Sequence, residues 1–232
     1  MIVAELLECT GLSAGYGQVP VLNDVNLRVG AGEVVALVGA NGAGKTTTLL
    51  ALAGEVPVTA GQVRFDGGAW TGALHHRARQ GLRLITEDRA VFMSLSVADN
   101  LRLAHRSFDE PLAIFPELRP LLRRRVGQLS GGEQQILTLA RALAGHTRLL
   151  LADELSLGLA PIIVGRLLRA VRAAADRGMG VLLVEQQIRN ALAVADRAYV
   201  LRRGRVALEG PAAELRGRID EIEASYLAGE TP

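Results

Sequence analysis

The sequence predicts an α/β fold in which helices wrap a mostly parallel β-sheet. Short apolar runs rich in β-branched residues alternate with longer segments of helical periodicity, which is typical of such sheets. The first thirty residues instead suggest short strands joined by Gly-rich turns, and residues 96–145 combine several helical stretches with little strand signal. We therefore expect an antiparallel β region at the N-terminus and an α-helical subdomain inserted into the α/β core.

Four apolar runs of strand length form the predicted sheet: Val34–Val38, Leu82–Thr86, Leu149–Asp153 and Val181–Glu185. One helix is predicted from Gly44 to about Ala53 and another from Pro161 to about Ala175. Pro161 suits a helix start because the first helical turn does not need its missing N–H.

The last part of the chain holds a short segment, Arg205–Gly210, and then a predicted helix near Ile219–Leu227. No internal repeat or low-complexity linker interrupts the chain. We expect a single domain over residues 1–232, with a core and β region formed by 1–95 and 146–232 and the helical subdomain formed by 96–145.

The composition excludes several classes of protein. The 232 residues carry a formal net charge of +2 and only 3% aromatic residues, with no basic stripe interleaved with aromatics, so a nucleic-acid partner is not expected. Cys9 is the only cysteine, which fits a reducing compartment. The most apolar runs, such as Val34–Val38, are far shorter than the roughly 20 residues of a membrane-spanning helix, so we expect a soluble chain.

A phosphate-binding loop is predicted at Gly39–Thr46, which fits the pattern G-x-x-x-x-G-K-[ST] between a strand and a helix. The glycines allow the backbone to curl around phosphates, and the helix N-terminus adds a positive dipole. Lys45 would reach the β- and γ-phosphates of ATP and Thr46 would hold Mg²⁺. Lys45 is also the only lysine in the chain.

Two acids follow the apolar strand Leu149–Asp153. Open α/β sheets place ligand groups at such strand ends, so Asp153 would hold Mg²⁺ and Glu154 would act as general base toward water. The alternative is a helix N-cap pair after a buried strand. The phosphate loop elsewhere in the same chain favours the catalytic interpretation.

The segment Leu129–Gln135, with the sequence LSGGEQQ, opens a predicted helix at Ile136–Ala144. Its glycines would lie at a helix N-terminus, which makes a second anion site. For Ser-Gly-Gly alone, a plain turn and cap is the default interpretation. Lying between the phosphate loop and the acidic strand, this heptapeptide resembles the signature motif of ABC-type ATPases.

The resemblance covers essentially the whole chain and implies a P-loop NTPase (RecA-like) core. Tyr16 matches the aromatic residue that stacks on adenine, and Ser156–Pro161 matches the loop through which two such domains meet. In this family the signature of one subunit closes over the ATP of the other, so Ser130, Gly131 and Gly132 would contact nucleotide in trans.

Further details are similar to the LivF class of branched-chain amino-acid importer ATPases. Glu87 stands where many relatives have Gln, and is either an Mg²⁺ contact or a solvent-facing residue. Gln186 stands at the position of the family's switch histidine and is assigned as a nucleotide contact. Leu155 stands where the family usually has proline, which predicts a less rigid turn.

Together these patterns assign residues to three roles. The residues assigned to nucleotide binding are Tyr16, Gly39, Asn41, Gly42, Ala43, Gly44, Lys45, Thr46, Thr47, Glu87, Ser130, Gly131, Gly132 and Gln186. Those assigned to Mg²⁺ are Thr46, Asp153 and Glu87, and those assigned to catalysis are Glu154 and Lys45.

The resemblance implies an ATPase subunit peripheral to the cytoplasmic face of the membrane. Its expected partners are a second ATPase subunit, as a heterodimer or a homodimer, permease subunits and, indirectly, an extracytoplasmic solute-binding protein. Alternative functions are an importer ATPase for amides, urea or another solute, a soluble ABC ATPase without a permease, and an inactive scaffold. The complete set of Lys45, Asp153 and Glu154 disfavours the scaffold.

Overall fold

The computed structural model describes residues 5–105 and 107–227, the last three by their backbone alone. Its centre is a six-stranded sheet built from β3 (Val34–Val38), β6 (Leu82–Ile85), β7 (Leu149–Asp153), β8 (Gly180–Glu185), β9 (Arg197–Arg202) and β10 (Arg205–Pro211). The strand order is β10-β9-β3-β8-β7-β6, and every neighbouring pair is parallel except the β9–β10 hairpin. The prediction of a mostly parallel sheet is confirmed.

The central strands are buried on both faces, as expected for a parallel sheet between layers. All five residues of β3 are buried. Val34, Ala36 and Val38 belong to one apolar cluster, and the alternate residues Val35 and Leu37 belong to a second. This arrangement explains why the strand is a continuous apolar run in the sequence.

A second, antiparallel sheet confirms the predicted N-terminal β region and extends it. It contains β1 (Glu5–Tyr16), β2 (Val19–Gly30), β4 (Val58–Phe65) and β5 (Gly68–Ala69) in the order β2-β1-β4-β5. The strands β1 and β2 have twelve residues each, longer than the short strands expected from the sequence. Register shifts along β1 accommodate Gly11, whose φ is +63°.

Nine α-helices lie among the described residues: α1 (Lys45–Ala53), α2 (Leu74–Arg79), α3 (Val97–Arg102), α4 (Asp109–Ile114), α5 (Gly131–Leu143), α6 (Pro161–Ala175), α7 (Ile188–Val194), α8 (Ala212–Arg216) and α9 (Ile219–Leu227). Three of them, α3 to α5, follow one another between β6 and β7, with short 3₁₀ turns at Pro116–Leu121 and Val126–Gln128. The subdomain limits 96 and 145 stay a prediction.

Helix α5 starts five residues earlier than Ile136, the start expected from its apolar pattern. Ser130 is its N-cap, and a capping box with Glu133 stabilises the additional turn. None of the helices in the described part of the chain is long and apolar enough to cross a membrane.

Candidate active site

The phosphate loop joins β3 to α1 along the edge formed by the carboxyl ends of the parallel strands. Gly44 has a φ of +106°, and a Cβ at this position would lie 2.8 Å from the side chain of Leu22. A Cβ on Gly39 would lie 2.4 Å from the carbonyl oxygen of Leu201. Glycine suits both positions, because the φ of Gly44 is rare for a residue with a side chain and a Cβ on Gly39 would displace the backbone of β9.

The ammonium group of Lys45 is folded back onto the loop. Its Nζ donates to the carbonyl oxygens of Gly39 at 2.9 Å and Ala40 at 3.1 Å. Burial lowers the pKa of Lys45, and the acids Glu154 and Asp153 oppose that shift. Since an ammonium has three donor hydrogens, one donor remains for a ligand in the loop.

Thr46 and Asp153 meet at the loop. The Thr46 hydroxyl donates to Oδ2 of Asp153 at 2.7 Å, whereas Oδ1 is buried and has no hydrogen-bond partner among the described residues. Burial raises the pKa of Asp153, while the Thr46 hydrogen bond and the Lys45 ammonium lower it. A buried carboxylate oxygen without a donor is costly, so this pair can hold a further positive group.

Glu154 begins the turn after β7 with a φ of +46°, a conformation that is uncommon for any residue with a side chain. Its N–H donates to the carbonyl oxygen of Val184 on β8 at 2.9 Å, which holds the turn against the neighbouring strand. Burial, and then the nearby Asp153, raise the pKa of Glu154. A raised pKa improves a carboxylate as a proton acceptor.

These groups surround one open cleft of about 500 Å³. Its lining contains nine of the residues assigned to the site from the sequence: Asn41, Gly42, Gly44, Lys45, Thr46, Thr47, Glu87, Glu154 and Gln186. Gly39 and Ala43 are buried in the loop itself, and Asp153 reaches the cleft through Thr46. The loop, the acidic strand end and Gln186 are therefore brought together.

Two lining residues, Val21 and Leu157, were not assigned to the site from the sequence. Val21 comes from β2 in the antiparallel sheet, and a valine in a strand carries no chemical signal. Leu157 lies in the loop that the resemblance assigned to the contact between two domains, and its 42% exposure is consistent with that location.

Besides Gly39, Ala43 and Asp153, four further assigned residues are not part of the cleft lining. Tyr16 is 53% exposed at the end of β1. Ser130 is exposed at the start of α5, where its Oγ accepts the Glu133 N–H and its own N–H donates to Glu133 Oε2 at 2.7 Å. Gly131 and Gly132 follow it in the first helical turn. The signature segment is thus an accessible helix start that does not line its own chain's cleft.

Comparison with known proteins places this geometry in a family. Residues 22–156 match the family model described as ABC transporter. The chain belongs to the ABC transporter family. It is an ATP-binding, ATP-hydrolysing subunit of that family, as the phosphate loop and the LSGGEQQ segment predicted.

Relatives of this ABC ATPase match along almost their whole length. The high-affinity branched-chain amino acid transport ATP-binding protein BraG of Pseudomonas aeruginosa is 38% identical over 97% of this chain and 100% of its own. The probable branched-chain amino acid transport ATP-binding protein LivF of Archaeoglobus fulgidus is 37% identical over 90% and 94%. The lipopolysaccharide export system ATP-binding protein LptB of Escherichia coli K12 is 37% identical over 95% and 96%.

Solved structures confirm the fold of the ABC ATPase. The ATP-binding subunit of an ABC transporter aligns with a TM-score of 0.82 and 29% identity, over 96% of this chain and 99% of that one. An ATP-binding cassette in its ADP conformation aligns with a TM-score of 0.84 at 22% identity, over 97% and 99%, which supports the fold alone.

Leu155, which stands where the resemblance expects proline, is 1% exposed and packs in one of the two core clusters. Packing of this side chain therefore restrains the turn that a proline ring would otherwise restrain. The lower rigidity expected from the sequence stays a prediction.

Proposed function

We propose that the ABC ATPase binds ATP with Mg²⁺ in this cleft and that its hydrolysis energises an importer of branched-chain or related amino acids. The observation that carries the proposal is the convergence of Lys45, Thr46, Asp153 and Glu154 on one cleft, from segments more than a hundred residues apart. This is the set of groups that phosphoryl transfer to water requires.

The nucleotide would lie along the phosphate loop. The free donor of Lys45 and the backbone amides from Gly39 to Thr47 would hold the β- and γ-phosphates, aided by the dipole of α1. Asn41, Gly42, Ala43 and Gly44 belong to this backbone cradle. The exposed ring of Tyr16 would stack on the adenine base.

The Thr46–Asp153 pair fits Mg²⁺, which prefers hard oxygen ligands and binds few protein groups beside the phosphates. The Thr46 hydroxyl would hold the ion together with Oδ1 of Asp153, which has no hydrogen-bond partner among the described residues. Glu87 lines the same cleft and adds to the rise that burial causes in the pKa of both acids. The ion would neutralise charge on the β- and γ-phosphate oxygens.

Glu154 would accept a proton from the attacking water. Its raised pKa and its fixed backbone favour this role. Lys45 would stabilise the negative charge on the transferred phosphoryl group, and Gln186, which lines the same cleft, would donate a hydrogen bond to a γ-phosphate oxygen.

A second ATPase subunit would complete the site. Ser130, Gly131 and Gly132 lie at an accessible helix start away from their own chain's cleft, which supports a contact with nucleotide held by a partner. Closure of the dimer on ATP and its release after hydrolysis would move permease subunits at the cytoplasmic face of the membrane. The sister ATPase is expected to be a different chain, and an extracytoplasmic binding protein would deliver the solute.

The solute is inferred from the relatives. BraG and LivF carry branched-chain amino acid transport in their names, and the Glu87, Gln186 and SLGLAP features of this chain agree with that class. LptB, at 37% identity, is named for lipopolysaccharide export, which makes export of such a lipid a second candidate.

Uptake of radiolabelled leucine tests the proposal in a strain of the source organism that lacks this gene. We expect wild-type protein to restore uptake and a Lys45→Ala variant, produced at the same level, to leave it absent. Normal leucine uptake in the deletion strain would contradict the proposed solute. Loss of amide or urea uptake, or of lipopolysaccharide transport, would then identify the alternative.

A further inference from the structure

The side chain of Glu185, at the carboxyl end of β8, is completely buried and belongs to none of the roles above. Its two oxygens accept two hydrogen bonds, both from Ser156. Oε1 accepts the Ser156 N–H at 3.1 Å, and Oε2 accepts the Ser156 hydroxyl at 2.5 Å. One carboxylate on the central sheet therefore holds a single residue of the turn after β7.

That turn carries Glu154. The Glu154 N–H is held by the Val184 carbonyl, and the Leu157 N–H donates to the Glu154 carbonyl at 3.2 Å. The side chain of Leu155 is buried in the core between these contacts. Consecutive residues of β8 thus fix consecutive parts of the turn, Val184 through its backbone and Glu185 through its side chain.

Burying a carboxyl group here is costly. Burial raises the pKa of Glu185 to about 7, although the two hydrogen bonds from Ser156 oppose the shift. An apolar residue of similar size would fill the position without that cost. The carboxyl group therefore contributes something that packing alone does not. Among the described residues, its hydrogen bonds come from Ser156 alone.

We propose that Glu185 is a positioning residue for ATP hydrolysis, which acts by holding Ser156. Fixing Ser156 holds the uncommon backbone conformation of Glu154 and keeps the Glu154 carboxylate directed toward the cleft. It also fixes Leu157, which lines the same cleft. The inference rests on the proposed role of Glu154 as the base, and it concerns the rate of hydrolysis rather than the solute.

Three variants test this role by separating kcat from nucleotide affinity. Glu185→Leu removes both acceptors, Glu185→Gln keeps one acceptor of the same shape, and Ser156→Ala removes only the hydroxyl donor. Each full-length variant is assayed in the assembled ATPase dimer for steady-state ATPase activity, and by itself for ATP binding by fluorescent-nucleotide titration and for melting temperature. Glu154→Gln is the reference for loss of the base.

We expect Glu185→Leu to lower kcat roughly 10- to 100-fold, since small displacements of a reacting group have effects of this size. The Kd for ATP is expected to stay within about twofold, because no phosphate contact changes. Glu185→Gln should recover most of kcat, and Ser156→Ala should lower kcat by an intermediate factor. If Glu185→Leu does not fold, the other two variants still carry the test.

An unchanged kcat in Ser156→Ala and in the folded Glu185 variants would overturn the proposal. A parallel loss of kcat and ATP affinity would overturn it as well, because it would indicate general damage to the cleft. If Glu154→Gln hydrolyses ATP at the wild-type rate, the base is misassigned, and that result is separate from the behaviour of the Glu185 variants.

Discussion

Thr46 and Asp153 lie 107 residues apart in the chain, and their side chains share a 2.7 Å hydrogen bond. The roles of both residues could be predicted from the sequence because each belongs to a short local pattern. Thr46 lies in a glycine-rich loop, and Asp153 ends an apolar strand that is followed by a second acid. Glu185 has no such pattern. Its importance depends on a contact with Ser156, 29 residues earlier, and such contacts cannot be predicted from local spacing.

Replacing Glu154 by Gln removes the proton acceptor and leaves the phosphate contacts in place. We expect the variant to bind ATP with a Kd within about twofold of wild type and to lose at least roughly 100-fold in kcat, within the range for general-base removal. Steady-state ATPase and nucleotide-binding assays measure the two quantities. Wild-type turnover in this variant would show that another group is the base.

The buried Glu185 makes stability depend on pH. Its pKa is raised from 4.5 to about 7 in the folded protein, so between these pH values the native state binds more protons than the unfolded state. The free energy of unfolding should therefore fall as pH rises through this window, by up to about 3 kcal/mol from this group. It should change little from this cause above pH 7.

Urea denaturation of wild type and Glu185→Gln at pH 5 and pH 8 measures this effect. The difference between the two proteins isolates Glu185 from the other titrating groups. We expect the variant to gain stability relative to wild type at pH 8. The same difference at both pH values would contradict a titrating Glu185.

At the scale of elements, the strands with continuous apolar runs were predicted almost to the residue, because burial on both faces leaves no polar alternation. β4 and β9 were not predicted. β4 contains Gly61 and mostly exposed residues, so it is not an apolar run. β9 has a buried apolar run of only four residues, between Arg197 and Arg202 at its ends. Their positions are set by pairing with β1 and β3 instead.

At the start of helix α5, the role of Ser130 in the signature segment can be tested separately from its role as helix N-cap. Ser130→Arg places a bulky side chain at the helix start and removes the capping hydroxyl. We expect ATPase turnover to be lost while the isolated chain keeps its ATP affinity, because Ser130 does not line its own cleft. Activity and nucleotide-binding assays on the same preparation measure both.

Glu133→Ala is the matched control for this substitution. It removes the other half of the capping box, the acceptor of the Ser130 N–H, without adding bulk. Both variants should lose about 1 kcal/mol of stability, as for loss of a helix cap. Only Ser130→Arg should lose ATPase turnover. An equal loss of turnover in the two variants would assign the effect to the broken helix cap.

At the scale of the whole molecule, the cleft contains the loop and the acids but not the signature segment. Two inactive chains should therefore complement each other if the chain pairs with itself. In a mixed dimer of Lys45→Ala and Ser130→Arg, one site combines an intact Lys45 with an intact Ser130. Random pairing of equal amounts makes roughly half of the dimers mixed, and each mixed dimer has one intact site of its two. We therefore expect mixing to restore ATPase activity to roughly a quarter of wild type.

Each variant assayed alone at the same total concentration is the control. Activity of the mixture no greater than the sum of the two would contradict completion of the site by a second copy of this chain. Restoration by a different sister subunit, added to Ser130→Arg alone, would then identify a heterodimer.

The ammonium of Lys45, held by two loop carbonyls, has one more consequence. It is the only side-chain amine in the chain, so an amine-reactive reagent can modify one internal position and the N-terminus. Burial lowers its pKa, which favours the uncharged, nucleophilic form relative to an ordinary lysine. Acylation of this single position, followed by intact-mass spectrometry, would thus report occupancy of the loop directly, without any engineered label.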